Sequence, residues 1–378
     1  MTPKRFVQPM VARDPHEGHR AATPLELLFD LCFVVAIAQA AVGLHHGLGE
    51  AHFGAAIGGY LLVFFAIWWA WMGFTWFASA YDTDDGPYRV LVLIQIAGVL
   101  VLAAGVPRAS AGDFGLITLG YTIMRVGLVA LWVRAAGADR PRRRTALRYV
   151  ASIAVCQVGW LALLLVPPEL WVFGWLVLAP LELAGPMWAE SAGPTSWHPH
   201  HVAERHGLLM VIVLGESVLA ATLAVQTALD AGEVSVDLLS LAGGGLLTLF
   251  GLWWLYFARS PHGTLASNRG AFRWSYGHFP LFLSAAAIGA ALGVCVDALA
   301  GRGHLTPAAA SCVLSVPVAL TLLGIWLIQI RPAGDRGPAY PIAAALVLAA
   351  ALVPHAPLMI GGLLAGLVLA TARHPTST

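Results

Sequence analysis

Residues 54–79 read GAAIGGYLLVFFAIWWAWMGFTWFAS, with no charged side chain anywhere in the run. About 20 apolar residues in a helix cross the ~30 Å hydrocarbon core of a bilayer. The run is continuous rather than alternating, which makes it a helical span and not a barrel strand. Comparable runs lie near 25–44, 88–106, 114–134, 148–166 and 169–188, then near 206–228, 236–258, 274–298, 307–330, 338–353 and 356–372. The pattern predicts an all-α, polytopic transmembrane helix bundle of about twelve spans. The last two runs are short and separated only by Pro354, His355, Ala356 and Pro357, so they also fit one re-entrant hairpin.

Composition supports the same class. Of 378 residues, 58% are hydrophobic and 11% charged, and mean hydropathy is +0.76. A water-exposed domain carries roughly 25% charged residues. A soluble enzyme, a disordered chain and a secreted disulfide scaffold are therefore excluded. The net charge of +1 leaves no footprint for nucleic acid. Cys32, Cys156, Cys295 and Cys312 sit in apolar runs without metal-site spacing, as small hydrophobes do. The first twenty residues are polar and basic, so no cleaved leader is expected.

The basic residues set an orientation. With the N-terminus in the cytoplasm, one set of loops collects Lys4, Arg5, Arg13, Arg20, Arg89, Arg134, Arg140, Arg142, Arg143, Arg144, Arg148, Arg205, Arg259, Arg269, Arg273, Arg331, Arg336 and Arg373, which is 18 of the 21 Lys+Arg. The opposite loops hold Arg108 and Arg302, and Arg125 lies within a span. By the positive-inside rule both termini are expected in the cytoplasm of a bacterial cell, in its inner membrane, with an even span count. The polar stretch before the seventh span divides the chain into an N-terminal half (1–190), a connecting segment (191–205) and a C-terminal half (206–378). Trp68-Trp69 and Trp253-Trp254 recur in the second span of each half. Six spans per half would make parallel repeats; coincidence among 14 tryptophans is the alternative.

Charges that persist in apolar spans usually face a cavity or a partner. The first span opens Thr23-Pro24-Leu25-Glu26-Leu27-Leu28-Phe29-Asp30. Thr23 suits a helix cap and Pro24 the first helical position. Glu26 and Asp30 are four apart, hence on one face. Glu26 reads either as capping chemistry facing water or as a functional acid; Asp30, deeper, reads as functional or ion-paired. Arg205 and Glu216 are eleven apart and share a helix face, with Glu216 expected near mid-membrane. Asp30, Glu216, Glu26 and Arg205 are the candidates for proton or reaction chemistry. Arg125 and Glu182 are the other deep charges, reading as substrate contacts or as an ion pair that holds helices. Glu204 and His278 are further candidate contacts, the lone His also fitting a satisfied helix-end residue. Trp68 and Trp254 are aromatic candidates, against core packing or interface anchoring as the plainer reading.

Two loops suggest metals. Asp82, Asp84 and Asp85 offer hard oxygen ligands for Mg2+ or Ca2+, against a solvated turn built from Asp, Gly and Pro. His198, His200, His201 and His206 with Glu204 lack the spacing of a named zinc motif. Gly54/Gly58, Gly289/Gly293 and Gly362/Gly366 match GxxxG and predict close helix contacts. No Walker loop, dinucleotide fingerprint or catalytic triad pattern is present.

These segments resemble the bacterial low-temperature-requirement A family of integral membrane proteins. The resemblance rests on Thr23–Leu31, Asp82-Thr83-Asp84-Asp85, His201-Val202-Ala203-Glu204-Arg205-His206-Gly207-Leu208, Ile212-Val213-Leu214-Gly215-Glu216-Ser217 and His278-Phe279-Pro280. It implies a polytopic membrane protein linked to growth in the cold, and adds weight to Glu26, Asp30, Asp84, Asp85, Glu204, Arg205 and Glu216. It brings no agreed reaction or substrate. Two kinds of function fit: a transporter or channel-like protein for an ion or small solute, using intramembrane carboxylates; or a membrane-embedded enzyme acting at the cytoplasmic face on a lipid or isoprenoid, with Mg2+ gripping a diphosphate and a buried acid donating a proton. A structural role for the charges is the blander third.

Overall fold

The structure, a computed structural model, describes residues 6–14, 17, 18, 20–110, 112–230, 235–259, 265, 267–334 and 337–372. Lys4, Arg5, Arg336 and Arg373, counted above among the basic residues, lie outside the described residues. The described residues form twelve α-helices: α1 Pro24–Gly49, α2 Phe53–Ala80, α3 Gly86–Ser110, α4 Gly115–Ala138, α5 Arg143–Leu163, α6 Trp171–Glu190, α7 Pro199–Asp230, α8 Val236–Phe257, α9 Asn268–Leu299, α10 Pro307–Ile325, α11 Ala339–Ala350 and α12 Ala356–Ala372. The described residues contain no strand, only an isolated antiparallel bridge from Ala12 to Tyr81. Ten of the helices are long and apolar enough to cross a membrane, and the chain is a multi-span helical membrane protein. α11, with 12 residues, rises only about 18 Å, so it falls short of a full crossing.

Local chemistry starts these helices. Ser235, Ser267 and Thr306 accept hydrogen bonds from the backbone N–H of Leu238, Gly270 and Ala309, each an N-cap in its usual role. Several boundaries differ from the hydropathy reading, among them the start of α9 at Asn268, because hydropathy weighs side chains and ignores backbone bonding. α5 begins at Arg143, and α7 begins at Pro199, drawing His201, Glu204 and Arg205 out of the expected connecting segment into helix. α10 runs on as a π-turn over Trp326–Ile330, closed by Arg331 N–H on the Trp326 carbonyl at 2.8 Å. On α6, Phe173, Leu176 and Val177 are more than half exposed; that outward apolar surface suits lipid as solvent and would be a liability in water.

The chain divides into two compact units, one made of Met1–Gln39 with Phe65–Arg205, the other of Ala40–Phe64 with His206–Thr378. In the first, α3 packs on α4, α4 on α5 and α5 on α6. The α3–α4 contact is closest at Gly98, Gly105, Gly120 and Gly127. A Cβ on Gly120 would stand 2.4 Å from the Leu102 nitrogen and 2.6 Å from the Gly98 oxygen, so only glycine lets the backbones meet there. In the second unit α8 packs on α12, α9 on α10 and α10 on α11. There a Cβ on Gly244 would stand 2.2 Å from the Pro357 carbonyl carbon.

The GxxxG expectation holds for one pair. Gly289 receives Glu216, whose backbone carbon would be 2.7 Å from an added Cβ, and Gly293 receives the His45 ring at 3.1 Å. Gly54, Gly58, Gly362 and Gly366 have nothing within 4 Å. Three other tight pairs lie seven apart, Gly98/Gly105, Gly120/Gly127 and Gly244/Gly251. Two turns bring a residue back to one helix face as surely as one turn does.

Candidate functional site

The polar centre of the first unit begins with the start of α1. The Thr23 N–H donates to Glu26 Oε2 at 2.7 Å, and the Glu26 N–H donates to Thr23 Oγ1 at 3.3 Å. This is a reciprocal capping box. Glu26 is thus a capping residue as expected, but it is 1% exposed and faces protein, not water. Asp30, one turn deeper on the same face, is equally buried.

The start of α7 meets this face in register. His201 Nε2 lies 2.9 Å from Glu26 Oε1. Four residues on, Arg205 grips Asp30 with two bonds, Nε to Oδ2 at 2.9 Å and Nη2 to Oδ1 at 2.7 Å. Two i,i+4 pairs therefore face each other in the same chain direction, so α1 and α7 enter side by side and parallel here. Trp71 on α2 donates its indole N–H to Asp30 Oδ1 at 2.7 Å. Both Asp30 oxygens are thereby committed, in the bidentate geometry that makes Arg–carboxylate pairs strong. Glu26 is held differently: His201 at 2.9 Å, Arg205 Nη1 at 3.4 Å and Arg20 Nη2 at 3.6 Å share one oxygen.

The segment before α1 closes over this pair of rungs. Arg20 donates to the Ser79 and Ala78 carbonyls at 2.9 and 2.8 Å, capping the C-terminal end of α2, and burial lowers its guanidinium below the ordinary value against the pull of Glu26. The Ala22 N–H reaches Glu204 Oε1 at 3.3 Å, and His198 Nε2 lies 2.9 Å from the Glu17 carbonyl. Tyr88 stands within electrostatic reach of Glu26, Asp82, Arg20 and Arg205. Arg20 Nε, Tyr88 Oη, His201 Nδ1 and Glu204 Oε2 are buried without a hydrogen-bond partner among the described residues. Buried polar atoms are nearly always bonded, at a cost of about 1–3 kcal/mol where they are not. They are the donors and acceptors that a water or a polar solute would engage.

Glu216, Trp254 and His278 belong to the second unit. Glu216 is half-buried and packs against Gly289. His278 is buried and fully bonded, Nδ1 to the Trp274 carbonyl at 2.7 Å and Nε2 to Tyr256 Oη at 3.0 Å. Because a carbonyl only accepts, Nδ1 carries the proton and Tyr256 donates. It is a satisfied histidine, as in the plainer reading, but it lies within α9 rather than at a helix end, because α9 begins at Asn268. Trp254 is 52% exposed, because its helix turns it away from the α8–α12 seam.

The family model of the bacterial low temperature requirement A protein matches residues 21–373. The chain belongs to that family. It is also similar to an uncharacterized protein of Rhizobium meliloti (strain 1021), 28% identical over 280 residues, which cover 68% of this chain and 65% of the relative. In this low temperature requirement A protein the two sequence blocks at 23–30 and 201–205 are the two helix starts that lock together.

The other candidates form separate groups in the same unit. Arg125 pairs with Glu182 at 2.9 Å, and Glu182 also accepts the indoles of Trp69 at 2.8 Å and Trp160 at 3.0 Å; Arg125 further donates to Tyr121 Oη. The pair is buried between α4 and α6. Trp68 is buried in the aromatic core with Phe65 and Trp69. The acidic loop does not converge on a point. Asp82 faces Arg13 at 3.1 Å, Asp84 faces Arg89 at 2.7 Å and Asp85 faces Arg134 at 2.7 Å. Asp85 also caps α3 through the Tyr88 N–H and accepts the Gln8 N–H, both at 2.9 Å. Among the described residues no three His, Cys, Asp or Glu are placed to share a metal ion. Each carboxylate faces its own arginine instead of sharing one centre. Burial raises Asp82, while Arg134 and two N–H groups outweigh burial and hold Asp85 below the usual range.

Sequence reading missed the indole donors. Trp69, Trp71 and Trp76 of α2 each donate to a buried carboxylate, the last to Glu190 at 3.2 Å. Glu190 itself, bonded also to Tyr149 Oη at 2.9 Å and Thr195 N–H at 2.8 Å, was overlooked. The signal was available: a tryptophan-rich span in a chain whose spans at 24–49 and 171–190 each keep two acids.

Proposed function

We propose that this protein is a transporter or channel-like protein for an ion or small solute, in the inner membrane with both termini cytoplasmic. The register of Glu26–Asp30 against His201–Arg205 carries the reading. Asp30 is saturated by Arg205 and Trp71 and serves as the fixed rung. Glu26 shares one oxygen among two guanidinium groups and an imidazole at 2.9 to 3.6 Å and serves as the exchangeable one. Arg20 and Arg205 balance Glu26 and Asp30, so a proton arriving on His201 adds a charge in a buried site. Intramembrane His and carboxylate groups arranged this way are proton relays elsewhere. Proton movement coupled to re-pairing of Glu26 is the mechanism proposed.

The test is proton flux in proteoliposomes loaded with a pH-sensitive dye under an imposed potassium diffusion potential. Wild-type protein should collapse the gradient faster than empty liposomes, and Glu26→Gln and His201→Gln should each abolish the excess. Wild-type vesicles as tight as empty ones, or variants that conduct like wild type, would overturn the reading.

One observation favours the second reading, a membrane-embedded enzyme. The cluster lies at helix starts on one membrane face, whereas transporter sites tend towards the midplane. In that reading Arg20 and Arg205 hold an anionic lipid or isoprenoid group and Glu26 donates a proton. Turnover of a membrane lipid by purified protein, lost in Glu26→Gln, supports it over transport.

A further inference from the structure

On the same membrane face, away from the Glu26 cluster, the starts of α5 and the end of α6 frame a shallow groove of about 520 Å3 lined by Arg140, Arg143, Arg144, Leu147, Arg148 and Trp188. Arg140, Arg143 and Arg144 are exposed and have no carboxylate partner among the described residues. The neighbouring acids are already committed, Asp139 to Arg142 and Tyr81 and Glu190 to Trp76, Tyr149 and Thr195. Arg148 is pre-positioned. It donates to the Trp188 carbonyl at 2.9 Å and to Ser191 Oγ at 2.8 Å, with its guanidinium 5.0 Å from the Trp188 ring centroid.

The groove's lower lip is apolar. Leu147 is 45% and Trp188 48% exposed. Below them Val155 and Val158 continue the outward face of α5, and Leu181 and Val177 that of α6, all exposed. A cationic bowl thus opens directly onto an apolar face. A soluble anion needs only the bowl; a phospholipid uses both.

We propose that this groove binds the headgroup phosphates of an anionic phospholipid, its acyl chains lying along α5 and α6. Guanidinium groups bind phosphate bidentately, and basic pockets between spans at the cytoplasmic side select lipids with multiple phosphates. Diphosphatidylglycerol, with two phosphates, matches four arginines better than a single-phosphate lipid.

The experiment is native mass spectrometry of the full chain, titrated with diphosphatidylglycerol or phosphatidylcholine, with and without inorganic phosphate. Diphosphatidylglycerol should be retained in preference to phosphatidylcholine. The triple variant Arg140→Gln, Arg143→Gln, Arg144→Gln should bind it about a hundredfold more weakly, with Arg302→Gln as a control of unchanged binding. These three side chains hold nothing else together, so the fold should survive; Trp188→Ala supplies a second, independent weakening. Equal retention of the triple variant, or equal binding of phosphatidylcholine, overturns the proposal. Displacement of the lipid by inorganic phosphate at matched concentration assigns the groove to a soluble phosphate and also overturns it.

Discussion

Asp30→Asn asks how much of the first unit depends on one charge pair. The change keeps the side chain's size and leaves the Arg205 guanidinium, 0% exposed, without its bidentate partner. Glu26, at 3.4 Å, compensates only in part, since it already serves His201 and Arg20. Breaking a buried pair by removing one member costs about 3–5 kcal/mol, while replacing both members by neutral groups of similar volume is nearly neutral. Arg205→Met should therefore cost a similar amount, and the double variant no more than either single. The double-mutant cycle, read from denaturant or thermal unfolding in detergent micelles, should give a coupling of about 3 kcal/mol or more. Additivity of the two single costs within about 0.5 kcal/mol would show that the carboxylate and the guanidinium do not act as a unit, and the site as drawn would be wrong.

Four further outcomes are expected. Trp71→Phe should cost about 1.5–3 kcal/mol, the range for a hydrogen bond to a charged group, measured in the same assay. Gly120→Ala should destabilise by about 1–3 kcal/mol through backbone overlap with α3, whereas Gly137→Ala, with nothing within 4 Å, should be neutral or stabilising by up to about 1 kcal/mol. Asp85 is held below the ordinary carboxylate range by Arg134 and two N–H groups in spite of burial; its contribution is complete above the unfolded value near ~4 and fades as pH falls through the lower folded value, so wild type and Asp85→Asn should converge in stability on acidification. Orientation is checked with an impermeant thiol reagent in a background lacking the native cysteines: Arg302→Cys should label in intact cells and Arg140→Cys only after lysis.

Much of the fold was legible because a bilayer demands length and apolarity, which any long uncharged run displays. Asp30 stood out for the same reason: a charge in such a run calls for a partner. The partner was not legible. Arg205 is 175 residues away, and its own spacing to Glu216 drew attention along α7 rather than across to α1. Asp82, Asp84 and Asp85 read as a ligand set because adjacency in sequence looks like convergence. Three arginines from three different segments pull them apart instead, and Asp84 adopts φ +48°, a left-handed turn that Asp tolerates. The glycines spaced seven apart do not match the four-residue motif, though the physical requirement, a recurring bare stripe on one helix face, is identical.

The doubled duty of Glu26 has a mechanical consequence. One oxygen of its carboxylate fastens the first turn of α1 through Thr23, while the other confronts imidazole and guanidinium. Any visitor or proton that recruits the second oxygen tugs on the first. Occupancy would then be written into the fraying of a helix end, and amide exchange at Thr23 becomes a gauge of what the centre is holding.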